Sequence, residues 1–428
     1  MLLAAGGLID DHTAAAPVVN ANPNAVLANP NPQAPLQTED QLAQPDEMNV
    51  FQPAGGAAEN PVPQIFRYGP IMLRPHADYQ LMYGNGIQST PGDQQETIIQ
   101  EFSPGILMDL GSHWSLDYTP TFMFYSSDKF QDSVNHSIAL TGDLLYEAWK
   151  FGLNHSTEIT SAPMAETGEQ TDQTTHSTTL SASRALNSQM SLDLGLNQTI
   201  NLVSGFNNSY DWSTLDWLNY EFWPRLNAGI GAGGGYVLVQ NNGQLGGIGG
   251  GDANQTYEQL QTRVNWRATQ KLSFQLSVGL EDRQFMIAGA GSSLSPIFGA
   301  TVEYMPFKGT QITLSGNRTV ASSDYYSAAL ETETTIVSLN VDQRLFRQYK
   351  LGVGLAYSVT DYSTPSGLAA AGLANRTDDQ VSFNARLSHP FFKRGTWALF
   401  YQYSDNTSSQ AGFSYQSNQS GIEITYSF

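Results

Sequence analysis

The chain has no cysteine. That absence removes disulfide staples, thiolate metal centres and cysteine nucleophiles, and it agrees with an oxidising compartment without requiring one. Long apolar runs are missing too. Hydrophobic residues make up 40% of the chain, yet nowhere do ~18 of them follow one another, so no helix is apolar enough to cross a membrane. Bases are scarce: 19 Lys and Arg face 39 Asp and Glu, for a formal charge of −20. This balance argues against a nucleic-acid partner, because phosphate binding needs a basic surface. The glycine run Gly246-Gly247-Ile248-Gly249-Gly250-Gly251 lacks the Lys-Ser or Lys-Thr of a phosphate loop and reads as a flexible outer loop. His76, His113, His176 and His389 stand isolated, without metal-ligand spacing. The triplets Asn135-His136-Ser137 and Asn154-His155-Ser156 put His and Ser next to each other, so in a strand they face opposite ways and cannot act together. No enzyme activity, cofactor or metal is therefore expected.

What the chain has instead is alternation. From about Ile71 onward it breaks into segments of ~10 to 15 residues in which apolar and polar side chains take turns, separated by turn chemistry. In the segment 190–202, Met190, Leu192, Leu194, Leu196, Ile200 and Leu202 share one side, with Gln198 the one polar exception. Ser191, Asp193, Gly195, Asn197, Thr199 and Asn201 share the other. Residues 272–281 and 351–360 repeat the pattern. Counting all such segments gives about eighteen strands, or sixteen to twenty if a hairpin is merged or missed. The pattern predicts an all-β fold, a transmembrane antiparallel up-and-down β-barrel over residues 66–428. Ahead of it, residues 17–65 are rich in Ala, Asn, Pro and Gln, and the first basic residue is Arg67. They read as a disordered periplasmic arm, a tether or a plug. Residues 1–16 carry a short apolar run without a basic start, as a signal-peptide remnant or mis-set start would.

Connections alternate in length. Short ones fall at 111–112, 148–150, 187–188, 224–227, 269–271, 307–309, 346–349 and 392–395; longer ones rich in Gly, Asn and Ser fall between, as at 162–173, 241–253 and 365–375. Charge sorts with them. Thirteen of the 19 bases lie near the short connections: Arg67, Arg74, Lys150, Arg184, Arg225, Arg267, Lys271, Lys308, Arg344, Arg347, Lys350, Lys393 and Arg394. Acids such as Asp93, Asp132, Glu166, Asp211, Asp252, Asp324, Glu331 and Asp378 collect near the long ones. A soluble sandwich has no reason to sort charge this way, whereas a vectorial barrel does. Trp114, Trp149, Trp217, Trp223, Phe391, Phe392, Trp397, Tyr401 and Tyr403 sit at strand ends, where they could form interfacial girdles.

The final segment, Gly421-Ile422-Glu423-Ile424-Thr425-Tyr426-Ser427-Phe428, alternates up to an aromatic residue. It resembles the carboxy-terminal signature of bacterial outer-membrane β-barrels. The resemblance implies that Ile422, Ile424, Tyr426 and Phe428 form an assembly signal read by the outer-membrane barrel assembly machinery. Residues 135–285 are similar to the porin-2-like family of Gram-negative β-barrel porins. The similarity rests on the two Asn-His-Ser triplets followed by alternating Leu and Ser, and on Leu215-Asp216-Trp217-Leu218-Asn219-Tyr220-Glu221-Phe222-Trp223-Pro224-Arg225-Leu226. Membership implies an outer-membrane porin with no defined catalytic residues.

Eighteen strands enclose more space than inward side chains fill, so a water-filled channel is expected unless a loop or the arm plugs it. The alternation aims Glu101, Asp109, Asp117, Asp143, Glu158, Asp193, Glu221, Arg263, Lys271, Glu281, Glu303, Arg386 and Glu423 inward as pore-lining candidates. Acids outnumber bases, so a porin passing small hydrophilic solutes or ions with mild cation preference is the expected function. The competing reading is a structural or export-associated barrel for surface attachment or exopolysaccharide, plugged or open. Expected partners are outer-membrane lipid and lipopolysaccharide, with a homotrimer as one arrangement open to the barrel. An even strand count places both termini in the periplasm.

Overall fold

The computed structural model describes residues 66–164, 166–240, 254–287, 289–324, 331–346, 348–364 and 375–427. The arm, the glycine run 246–251, Arg347, Asp252 and Phe428 lie outside them.

The described residues contain nineteen strands in one sheet. They are β1 (Arg67–Tyr68), β2 (Ile71–Thr90), β3 (Asp93–Leu110), β4 (Trp114–Tyr125), β5 (Ser133–Tyr146), β6 (Trp149–Met164), β7 (Glu169–Ala185), β8 (Met190–Val203), β9 (Asn208–Trp223), β10 (Leu226–Gln240), β11 (Gln255–Thr269), β12 (Leu272–Phe285), β13 (Ser292–Tyr304), β14 (Thr310–Ser322), β15 (Glu331–Leu345), β16 (Tyr349–Ser363), β17 (Arg376–Phe391), β18 (Gly395–Ser408) and β19 (Tyr415–Ser427). From β2 to β19 each strand pairs antiparallel with the next. β19 then pairs with β2, Ile422 opposite Leu81 and Glu423 opposite Gln80, closing an eighteen-strand barrel. Closure gives every strand from β2 to β19 a partner on both sides. The two-residue β1 adds a short hairpin to the start of β2.

Alternation fixes which side faces out. In β19, Ile422 and Ile424 are 46% and 42% exposed while Glu423 between them is 2% exposed. In β8, Leu196 is 52% exposed and Asp193 2%. A one-residue slip would turn every such side chain over, so one apolar and one polar face together pin the register.

All eight short connections fall where the sequence puts them, at one end of the barrel, together with the start of β2 and the end of β19. Tight hairpins need residues with positive φ. Gly111 (φ 77°) and Gly309 (φ 81°) provide it in two, whereas Glu147 (φ 53°), Phe346 (φ 47°) and Phe392 (φ 51°) provide it in three others, at a steric cost. The described bases named above lie at this end, and the described acids at the other. One expected long loop is mostly strand. Residues 162–173 form the paired ends of β6 and β7, with Ala162 opposite Thr171 and Met164 opposite Glu169. Their Thr and Gln side chains are compatible with a ladder standing clear of the apolar belt, so polarity there marked a wet strand rather than a loop.

Candidate functional site

The strands direct one residue in two toward the lumen, and the inner wall is where charge gathers. Glu101, Asp117, Asp193, Arg263, Glu281 and Glu423 are all buried in that wall. Asp193 accepts from Arg263 (2.7 Å), and Glu423 accepts from Arg386 (2.9 Å). Asp109 pairs with Arg74 (2.7 Å), and Asp143 stands 3.7 Å from His113. Glu158 accepts from Ser137 (2.8 Å) and Glu303 from Ser273 (3.3 Å). Glu221 is exposed near the short-turn end of β9. Lys271 stands in the turn between β11 and β12 rather than on a strand, and donates to the Pro306 carbonyl of the next turn (2.8 Å).

Three buried arginines share one design. Arg263 lies 4.3 Å above the Trp217 ring, donates to Asp193, and reaches Asn219 Oδ1 through Nε (2.9 Å). Arg283 lies 4.7 Å above Tyr257, donates to Glu281 (2.7 Å) and to Gln255 (2.8 Å). Arg376 lies 4.8 Å above Tyr362 and 3.8 Å above Phe413, and grips both oxygens of Asp378. Each guanidinium thus has a carboxylate in its plane and an aromatic face below it, the pairing that its flat fork suits. Trp217 is therefore an inward residue, 3% exposed, and not part of a girdle. Room for these rings comes from β10, whose inward positions Gly229, Gly231, Gly233 and Gly235 have no side chains. A methyl at Gly231 would stand 2.7 Å from the Trp217 ring, and one at Gly235 would stand 2.4 Å from the Tyr257 ring.

At the long-connection end two hairpins lean across the lumen. Above the pair Phe298 and Arg318, β14 parts from β13 while staying paired with β15. Its end reaches β8 and β9: the Asp324 carboxylate accepts from Ser209 (2.6 Å) and Asn201 (3.1 Å), and its carbonyl accepts from the Asn207 amide (3.1 Å). The β6–β7 hairpin reaches the other way, where the Glu166 carbonyl accepts from Arg376 of β17 (3.0 Å). Burial pushes both the Glu166 and the Asp324 carboxyls above the usual range, partly offset for Asp324 by the hydroxyls and amide it accepts from. The inner wall is not wholly polar. Met82, Ile99, Met123 and Phe400 pack with Phe130, and Val237 and Val239 pack with Tyr257 and Phe285. Among the described residues no group of three or more His, Asp or Glu could hold a metal.

No protein-family model matches the chain, and no curated protein matches it. The porin-2-like resemblance thus has no match behind it. Solved structures do align. The crystal structure of Pseudomonas aeruginosa OccK2 (OpdF) in complex with glucuronate is 11% identical, with a TM-score of 0.45 over 83% of this chain and 98% of that one. The outer membrane protein opdK of the same organism is 11% identical (TM-score 0.44; 83% and 98%), and its siderophore receptor PirA 8% identical (TM-score 0.43; 83% and 80%).

Sequence reasoning missed Arg74, Asp78, Arg283, Arg376 and Asp378 as inward charges. For Arg283 and Arg376 the signal was present. Glu281 and Arg283, like Arg376 and Asp378, are two apart and so share a strand face. The leaning hairpins left no comparable mark, because their contacts join Glu166 to Arg376 and Asn201 to Asp324 across long stretches of chain.

Proposed function

We propose that the chain forms a water-filled channel across a bacterial outer membrane for small hydrophilic solutes or ions, narrowed at its long-connection end by two leaning hairpins. The observation that carries this reading is the closed eighteen-strand wall with opposite faces. Outside stand exposed Leu276, Val278, Leu280, Leu314, Leu339, Leu355, Leu399 and Ile422, while Asn, Gln, Thr, Ser and charged residues dominate much of the inside. An apolar band running round a barrel is intolerable in water and fits hydrocarbon. On this reading the short turns and both termini are periplasmic, and Ile422, Ile424, Tyr426 and Phe428 serve assembly. The acidic outer end faces the lipopolysaccharide leaflet.

Charge supports a mild cation preference. The lumenal Arg263, Arg283, Arg376 and Arg386 are each held by a carboxylate. Among the described residues Glu101, Glu158, Glu221 and Glu303 form no ion pair with a base, so the net field along the path is negative. Reversal potentials across a planar bilayer under a salt gradient test this. Cation selectivity is expected; anion selectivity would remove the electrostatic part. The competing reading, a barrel plugged by its arm for attachment or exopolysaccharide export, predicts a silent full-length protein that conducts once residues 1–64 are deleted.

A further inference from the structure

Bases collect at the short-connection end, but they are not answered equally round it. On the arc from β2 to β8, Arg74 pairs with Asp109 (2.7 Å), Arg184 lies 5.5 Å above the Trp149 ring, and the β5–β6 hairpin carries Asp143 and Glu147 as well as Lys150. The arc from the β9–β10 turn to the β15–β16 turn differs. Among the described residues its Arg225, Arg267, Lys271, Lys308 and Arg344 form no ion pair.

On that arc lies a cavity of about 390 Å³, within the size range of small-ligand pockets. Lys271, Lys308, Arg344 and Lys350 line it, against a single acid, Asp342. Met305 and Phe307 give it an apolar side, 43% and 75% exposed. Four bases around an apolar wall suit a ligand that carries carboxylates next to apolar side chains.

The chain itself carries such a segment. Residues 1–64 hold seven acids and no Lys or Arg, and the run Asp46-Glu47-Met48-Asn49-Val50-Phe51 sets two carboxylates beside Met48, Val50 and Phe51. This arm joins the barrel at the same end, where β1 lies on the start of β2. β2 and β11 are nine strands apart in a ring of eighteen, so they face each other across the mouth. Strands about 4.8 Å apart and tilted by about 40° make that mouth about 36 Å wide. From Met48 to Phe66 is eighteen residues, roughly 60 Å fully extended and roughly 23 Å as a coil. The acidic run therefore has the length to cross. We propose that residues 46–51 dock in this cavity, their carboxylates on Lys308 and Arg344 and their apolar side chains on Met305 and Phe307, with the arm laid across the mouth rather than into the lumen. One consequence rests on the channel reading above. Docking covers bases that would repel cations at this mouth, so the arm sustains the cation preference of the lumen.

The test uses the full chain. It has no cysteine, so Met48→Cys with Gln270→Cys, which lines the cavity, reports docking as a disulfide within one chain. Met48→Cys with Ser188→Cys is the control. The β7–β8 turn lies nearer to β2 round the ring, and an arm with no docking site would meet it at least as often. Cross-linking at Gln270→Cys is expected to exceed the control. Lys308→Glu with Arg344→Glu should cut it by about fivefold or more, the scale of losing one or two exposed ion pairs, and about 1 M salt should do the same. Unchanged heat-modifiable migration on a gel shows that each variant is folded. Equal cross-linking at the two turns, or cross-linking that ignores both charge reversal and salt, would overturn the proposal. In a planar bilayer, deleting residues 1–64 should lower the cation-to-anion permeability ratio, and an unchanged ratio would overturn the stated consequence. A silent bilayer with the cross-link intact would uphold the docking and fault the channel reading alone.

Discussion

The wall from β5 to β9 and the wall from β12 to β17 are built on the same alternation and the same tight turns, yet they present different chemistry to their surroundings. On the far wall most outward mid-depth positions are apolar, among them Leu276, Val278, Ala300, Val302, Leu314, Val337, Leu339, Leu355 and Phe383, while Arg318 of β14, which shares their face, donates to Glu333 and Thr335 of β15. On the near wall, at the same depth, stand two linked imidazoles, His155 and His176, a primary amide, Gln198, and a carboxylate, Asp216. Strand periodicity therefore says which side of a residue faces out, but not what lies against it. The charge on the far wall is met by its neighbours on β15, whereas among the described residues the Gln198 amide of the near wall has no partner.

The comparison can first be tested from inside, where the two walls should behave alike. Arg263 braces the near wall and Arg386 ties β17, the last strand of the far one, to β19, and each neutralises a buried acid, Asp193 or Glu423. Replacing either arginine with Met leaves that acid alone and should cost about 3–5 kcal/mol, measured by urea unfolding in vesicles. From outside the walls should part. On the membrane reading Leu276→Arg places a charge in hydrocarbon and should cost about 2–4 kcal/mol, whereas Gln198→Arg, opposite Thr178 and already polar, should cost under about 1 kcal/mol. Equal costs would end the distinction.

The walls also meet across the lumen, where the β14–β15 hairpin docks Asp324 on β8 and β9. Burial raises the Asp324 and Glu166 carboxyls, so the docked hairpins favour the protonated forms. Below the ordinary carboxylate range both states are protonated and nothing is gained. Above the raised value the docked charge is penalised. Conductance should therefore fall as pH is lowered from neutral toward the carboxylate range, and Asp324→Asn with Glu166→Gln should flatten that fall. The smallest effect lies in the turns. Phe346 on the far wall and Glu147 on the near one both hold positive φ, so Phe346→Gly and Glu147→Gly should each stabilise by about 1 kcal/mol, read from unfolding midpoints.

Much of the fold was legible because alternation, turn residues and charge each carry strand-level information. Leu194, Leu196 and Asn197 announce their faces locally, and 392–395 announces a hairpin. What lay beyond reach depends on register between distant strands. His155 and His176 look isolated in the chain and become neighbours only when β6 pairs with β7. Gln198 was visible as an exception, but its meaning needed Thr178 and Trp212 beside it. In the lumen, the inward acids were readable one by one, while the partners that neutralise them were not: Asp193 meets Arg263 from β11, and Glu423 meets Arg386 from β17. The reading of 162–173 as a loop shows the same limit. Polar composition does not separate a loop from a strand that rises above the apolar belt.

The central claim is an aqueous path narrowed by docked hairpins, and single-channel recording of the full chain in a planar bilayer tests it most directly. The account predicts discrete ohmic steps carried mainly by cations, and larger steps when Asp324→Ala frees the β14–β15 hairpin from Ser209 and Asn201. A bilayer that stays silent after insertion has been verified, for the native chain and for Asp324→Ala alike, would contradict it.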